Sequence, residues 1–180
     1  FLCRNKTVDT LIRERPLILP LPANKVAFGD QPLSPDLMDS LFKMIRSKKK
    51  PFLGLFQVES GAKQLIFFIL ESDPYAATLL EEETVRALSI RDFFIALNGM
   101  NRPALSLYAA NPVFIKCLLV FSQKTPATQG TTALIDIEVL LRQLQTERED
   151  TVLVLKKGKE VNLFYFLKGK LEELYFANPT

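Results

Sequence analysis

The run LLEEETV sets Glu81, Glu82 and Glu83 side by side, and paired carboxylates are the acid–base machinery this chain has the side chains to build. It contains no histidine, which removes the commonest general base, the commonest metal ligand and every Ser-His or Cys-His nucleophile pair. Acids ahead of a helix start are ordinary surface residues, so the run reads as a solvated turn leading to a helix capped by Ser89. Asp73 before Pro74 reads as a turn acid, and Asp136 with Glu138 as helix-surface acids. Cys3 and Cys117 lack metal-ligand spacing, and the apolar run around Cys117 suits a buried reduced thiol, as expected in a reducing cytoplasm. None of the seven glycines lies at the spacing of a phosphate-binding fingerprint. The expectation is a protein that is not an enzyme and uses no cofactor or metal.

The other chemistry-bearing pattern is aromatic. Phe164, Tyr165, Phe166, Tyr175 and Phe176 are surrounded by Lys156, Lys157, Lys159, Lys168 and Lys170, the ingredients of a surface on which single-stranded bases stack. Rings at strand spacing, however, belong to a core, and lysines mark turns. The net charge is only +3, with 23 bases and 20 acids intermingled, and the RNA-recognition signature with its paired glycines is missing. No nucleic-acid partner is expected. A small-molecule sensor leaves less trace: a pocket between two halves, lined by Tyr75, Tyr108 and Asn111, is the alternative reading.

At 180 residues and 48% apolar content the chain has enough to bury for one ordinary domain or two small halves, and one compact unit is expected. Its longest apolar runs, 65–70 and 117–121, fall short of the roughly 18 residues that cross a bilayer, so no membrane insertion is expected. The opening at Phe1, without Met or a charged-then-apolar leader, is expected either of a chain lacking its first native residues or of a piece of a longer protein.

The elements that must position these residues recur. GAKQLIFFIL (61–70) and GKEVNLFYFL (158–167) align at an offset of 97, matching Gly61 to Gly158, Phe67 to Phe164 and Leu70 to Leu167. Upstream, LMDSLFKMI (37–45) parallels IEVLLRQLQ (137–145). Each copy reads as a helix followed by three strands. In the first, Ser34 caps a helix with Pro35 at its first position and Leu37, Met38, Leu41, Phe42 and Ile45 on one stripe. In the second, Leu134, Ile137, Leu140, Leu141 and Leu144 form the stripe.

Lys168-Gly169 predicts a two-residue turn. Pairing Leu167 with Lys170 then sets Phe166 opposite Leu171, Tyr165 opposite Glu172 and Leu163 opposite Leu174. Val161, Leu163, Tyr165, Leu174 and Phe176 would share one face, with Phe164, Phe166, Leu171 and Tyr175 on the other. Residues 65–70 are apolar on both faces, so the sheet must be covered twice. Ser89 caps a helix bearing Ile90, Phe93, Phe94 and Leu97; 103–110 is a short apolar strand; and Asn111-Pro112 opens a helix to about Gln123, apolar around most of its circumference and suited to a central strut. Residues 122–132 form a polar linker.

The resulting map is an extended arm over 1–33, a first α-β-β-β repeat over 34–82, connecting helices and a strand over 83–132, and a second repeat over 133–180. The fold class is α+β, with two similar helix plus antiparallel-strand halves packed around a central buried helix.

The second copy, with Ile137, Leu140, Leu141, Leu144, Leu153, Tyr165, Phe166, Gly169 and Leu171 in order, resembles the PATAN or DUF4388 domain typified by the N-terminal region of the cyanobacterial regulator PatA. The likeness covers 135–177 well and 37–78 less well. There Ser72 stands at the motif's glycine, and a different, longer turn is expected. The resemblance implies a non-catalytic module of bacterial signalling systems that serves protein contacts; no functional side chain carries over. The expected function is therefore a regulatory protein-interaction module that docks an apolar sheet face or edge on a protein partner or a second copy. Phe68, Phe164, Phe166 and Tyr175 are the candidate surface.

Overall fold

The computed structural model describes residues 17–21 and 25–177. Cys3 and the arm over 1–16 and 22–24 lie outside them. The chain divides into two compact units, Leu21–Asn111 with Leu17, and Ile18–Pro20 with Pro112–Thr180. The described residues form four α-helices and two antiparallel sheets, the α+β class expected.

In chain order the first unit holds β1 (Lys25–Pro32), α1 (Pro35–Arg46), β2 (Gly54–Ser60), β3 (Lys63–Leu70), β4 (Asp73–Glu81), β5 (Thr84–Leu88), α2 (Ile90–Asn98) and β6 (Ala104–Ala109). Its sheet runs β1-β6-β2-β3-β4-β5, antiparallel throughout. Two elements correct the sequence map. Residues 25–32 are not a free arm but a strand, because β6, more than 70 residues on, supplies backbone partners from Lys25↔Tyr108 to Pro32↔Ala104. The stretch after Glu83 likewise pairs with β4 as a strand before α2 begins.

Both helices start as their caps dictate. Ser34 Oγ accepts from Leu37 N–H at 3.1 Å with Pro35 in the first turn. Ser89 Oγ accepts from Asp92 N–H at 3.0 Å and donates to Asp92 Oδ2 at 2.8 Å. The capped helices lay Met38, Leu41, Ile45, Phe93 and Leu97 on Phe56, Val58, Leu65, Phe67 and Ile69 in one core cluster. Phe67 is its hub, 6.1 Å from Phe42 and 4.6 Å from Phe93 between ring centroids. The opposite strand face, with Leu55, Ile66, Phe68, Leu80 and Tyr108, is buried too. Each buried phenylalanine contributes about 1.5–3 kcal/mol by removing its ring from water.

The second unit holds α3 (Pro112–Gln123), α4 (Ile137–Glu147), β7 (Thr151–Lys157), β8 (Glu160–Leu167) and β9 (Lys170–Tyr175), with sheet order β7-β8-β9. The helix expected as a strut lies here, packed on β7 and β8. Asp136 Oδ1 caps α4, accepting from Glu138 N–H at 2.9 Å and Val139 N–H at 3.2 Å. Leu134, assigned above to the helix stripe, therefore precedes the cap and is 86% exposed. Beyond the end of β9, Ile18 lies parallel to β8: its N–H donates to Lys159 O at 2.8 Å and its carbonyl accepts from Val161 N–H at 2.9 Å.

Strand pairings in the two units agree at the offset of 97. Gly54↔Ile69 corresponds to Thr151↔Phe166, Ser60↔Lys63 to Lys157↔Glu160, and Phe67↔Ala77 to Phe164↔Leu174. Gly61 and Gly158, both at φ +59°, open the first turns, where glycine takes a positive φ without steric cost. The longer turn expected at Ser72 is not formed. Glu71-Ser72, at φ +52° and +70°, makes the same two-residue turn as Lys168-Gly169, at +50° and +77°. Ser72 tolerates this conformation while its Oγ accepts from Phe52 N–H at 2.8 Å and its N–H donates to Phe52 O at 2.9 Å. The equivalent Gly169 N–H donates to Glu149 O at 3.3 Å.

A register shift follows each turn, with Tyr75 as the extra residue in β4 and Glu172 in β9. The latter overturns the face assignment made from the sequence. Phe166 does face Leu171, but Tyr165 faces Glu173, Phe164 faces Leu174 and Leu163 faces Tyr175. Because strand side chains alternate, one inserted residue exchanges the faces. Tyr175 joins Val161, Leu163 and Tyr165, while Leu174 and Phe176 join Phe164.

Candidate functional site

In α3 the buried side chains are Phe114, Ile115, Cys117 and Leu118. They cover the face of the second sheet that carries Val161, Leu163 and Tyr165, and Phe114 meets Tyr175 edge-on at 4.9 Å. Lys116 lies between these buried positions and joins a polar clasp. Its Nζ donates to Tyr165 Oη at 2.9 Å and to Asp150 Oδ2 at 3.2 Å, Tyr165 Oη donates to Asp150 Oδ2 at 3.3 Å, and Lys168 N–H donates to Asp150 Oδ1 at 3.2 Å. The clasp thus ties α3 to the β8–β9 turn.

The hydrogen bond to Tyr165 leads the effects that hold the Lys116 pKa above its ordinary value. The hydrogen bond from Lys116, then that from Lys168 N–H, hold Asp150 below its own. A lysine kept protonated and an aspartate kept ionised supply no proton acceptor or donor poised near neutral pH. Burial pushes the Cys117 thiol up to about 11, which leaves it a packing group rather than a nucleophile.

The acids considered from sequence do not converge. Glu81 ends β4 and pairs with Lys63 at 3.0 Å, whereas Glu82 and Glu83 form the exposed β4–β5 turn. Among the described residues no group of three or more Cys, Asp or Glu side chains is placed to hold a metal. Tyr75 helps line a depression of about 310 Å³ with Leu70, Glu71, Asp73 and Pro74, which neither Tyr108 nor Asn111 lines. No described helix is long and apolar enough to cross a membrane.

Of the four candidate surface rings, two are core. Phe68 is 1% exposed and Phe166 4%. Phe68 points to the second buried face of the six-stranded sheet, and Phe166 sits beside the turn approached by the end of α4. Tyr175 is half-buried against Phe114. Phe164 remains. It is half-buried, meets Phe176 edge-on at 5.9 Å, and lies on the sheet face turned away from α3.

That outer face is apolar over most of its area, with Asn162 opposite Leu155 and the charged pair Lys157↔Glu160 at one end. Leu153, Leu155 and Phe164 are half-buried, while Leu171, Leu174 and Phe176 are 49%, 44% and 45% exposed. Leu153, Leu174 and Phe176 were legible as apolar residues, but which face they share depends on the extra residue at Glu172. Lys116, Asp150 and Tyr165, 34 and 15 residues apart in sequence, carry no local signal of their convergence. Searches against family models, curated proteins and solved structures found no match.

Proposed function

We propose that the chain is a non-enzymatic protein-interaction or regulatory module of a bacterial signalling system, cytoplasmic, composed of two copies of one α-β-β-β unit of the PATAN/DUF4388-like type. It works by docking the outer face of the second sheet on a protein partner or a second copy of itself. The observation that carries this reading is the run of half-exposed leucines and phenylalanines on this face, with the charged pair Lys157↔Glu160 at its end rather than its centre. Contiguous apolar surface rimmed by charge marks interaction sites, and the centres of interfaces are depleted of charge.

The two-copy part of the reading is supported by the common register at an offset of 97 and by Gly169. That residue occupies the motif's glycine position with φ +77°, where a Cβ would come within 2.7 Å of Leu144 O. A nucleic-acid platform is disfavoured because Tyr165 and Phe166 are buried and Lys156 lies over the Phe121 ring at 5.8 Å. The test pairs melting with sedimentation and with retention of proteins from a bacterial lysate, comparing wild type with the Leu174→Lys/Phe176→Lys double variant. Equal melting with weaker association supports the reading. Equal melting with unchanged sedimentation and an unchanged retained set sinks it.

A further inference from the structure

The two sheets carry matching faces with different cover. At the offset of 97, Phe56, Val58, Phe67, Ala77 and Leu79 of the first unit correspond to Leu153, Leu155, Phe164, Leu174 and Phe176 of the second. The first five are all below 8% exposed; of the second five, Leu174 and Phe176 remain 44% and 45% exposed. The helix that precedes each meander, α1 or α4, is present in both units. What differs is α2. In the first unit β5 pairs with the outer edge of β4 and leads into α2, whose Phe93 and Phe94 lie 4.6 and 6.2 Å from Phe67 and whose Leu97 joins the same cluster. Among the described residues β9, the counterpart of β4, has no strand beyond it, and the ring that meets Phe164 is Phe176, from the end of β9 rather than from a helix.

We propose that the outer face of the second sheet receives an amphipathic helix from a partner protein, with an aromatic residue and a leucine four positions apart seated on Phe164 as Phe93 and Leu97 are seated on Phe67. The inference rests on the interaction reading above and specifies its partner. The face suits such a helix because its centre is aromatic, its flanks are leucine, and a ridge of i and i+4 side chains lies along one helix face. A polar or strongly charged partner would leave these side chains in contact with groups that lose water without gaining hydrogen bonds.

The probe is a fluorescent peptide of residues 84–100 of this chain, stapled between the exposed positions 91 and 95 so that helix formation is not left to a short free peptide. Full-length protein should bind it saturably. Leu174→Lys/Phe176→Lys should weaken binding at least about tenfold, equivalent to 1.4 kcal/mol, while melting like wild type, since both side chains are already half-exposed. A peptide with Phe93→Ala and Leu97→Ala should not bind.

Absence of saturable binding overturns the proposal. So does binding that the double variant leaves intact, which would mean that the peptide displaces α2 from the first unit. A self-associating chain whose dimer is broken by the double variant, but which ignores the peptide, assigns the face to a second copy instead; the interaction reading then survives and the helical partner does not.

Discussion

Gly169→Ala exposes the closest approach in the second unit. At Gly169, φ is +77°, and an added Cβ would lie 2.7 Å from Leu144 O, 2.9 Å from Gln145 O and 3.0 Å from Gln145 Cα. Gly158 also has a positive φ, +59°, but nothing within 4 Å of its Cβ position. A left-handed alanine costs about 1–2 kcal/mol, partly offset by about 0.4–1 kcal/mol from stiffening the unfolded chain. Terms of this kind apply to both substitutions, because each glycine has a positive φ. What remains for Gly169 is a methyl driven into the backbone at the end of α4, an overpacking cost of about 1–3 kcal/mol.

Gly158→Ala should therefore lose about 1 kcal/mol and Gly169→Ala about 2–4 kcal/mol. Urea unfolding followed by circular dichroism gives the totals, and hydrogen exchange of β8–β9 amides assigns the loss to the second unit. If the two variants agree within about 0.5 kcal/mol, a spread set by extrapolation alone, the helix end does not press on the turn and the account of this glycine is wrong.

The equivalent Ser72→Gly relieves a left-handed side chain but deletes the hydrogen bond from Phe52 N–H, so urea midpoints should shift by less than about 1 kcal/mol in either direction. Phe67→Ala, at the hub of the first core, should cost about 3–5 kcal/mol, whereas the half-covered Phe164→Ala should cost clearly less; thermal melts of the pair compare them. The polar clasp predicts a pH dependence. Asp150 titrates below its ordinary 3.8 when folded, so its contribution is complete above that value and is lost as pH falls through the lowered one. Lys116 titrates above its ordinary 10.5, so its contribution is complete below that value and fades as pH rises through the raised one. Asp150→Asn should flatten the acid limb of a stability–pH profile, and Lys116→Met the alkaline limb.

Much of the fold was legible where the determining chemistry is local. Ser34, Ser89 and Pro112 marked helix starts because caps and first-turn prolines act within three residues, and Lys168-Gly169 marked a turn because glycine accepts a positive φ. Glu71-Ser72 escaped notice for the converse reason: two consecutive non-glycine residues in the left-handed region are rare, and what holds Ser72 there is Phe52, 20 residues away. The strand over 25–32 was hidden by its glycine and terminal proline, and its partner lies far along the chain. The candidate surface was half legible. Phe164 is found among strand rings from sequence, but separating it from the buried Phe68 and Phe166 requires the positions of α4 and of the extra residue Glu172. Apolar content on both faces of a strand says only that both need cover.

The Ile18 bridge to Lys159 and Val161 has a consequence for synthesis on the ribosome. The amino-terminal stretch emerges early, yet its hydrogen-bonding partners follow roughly 140 residues later, on the order of ten seconds at usual elongation rates. The six-stranded sheet can close in that interval, while Ile18 must wait for the start of β8 to leave the exit tunnel. A nascent polypeptide stalled before Lys159 should leave this segment open to proteases, and emergence of β8 and its hairpin partners should protect it.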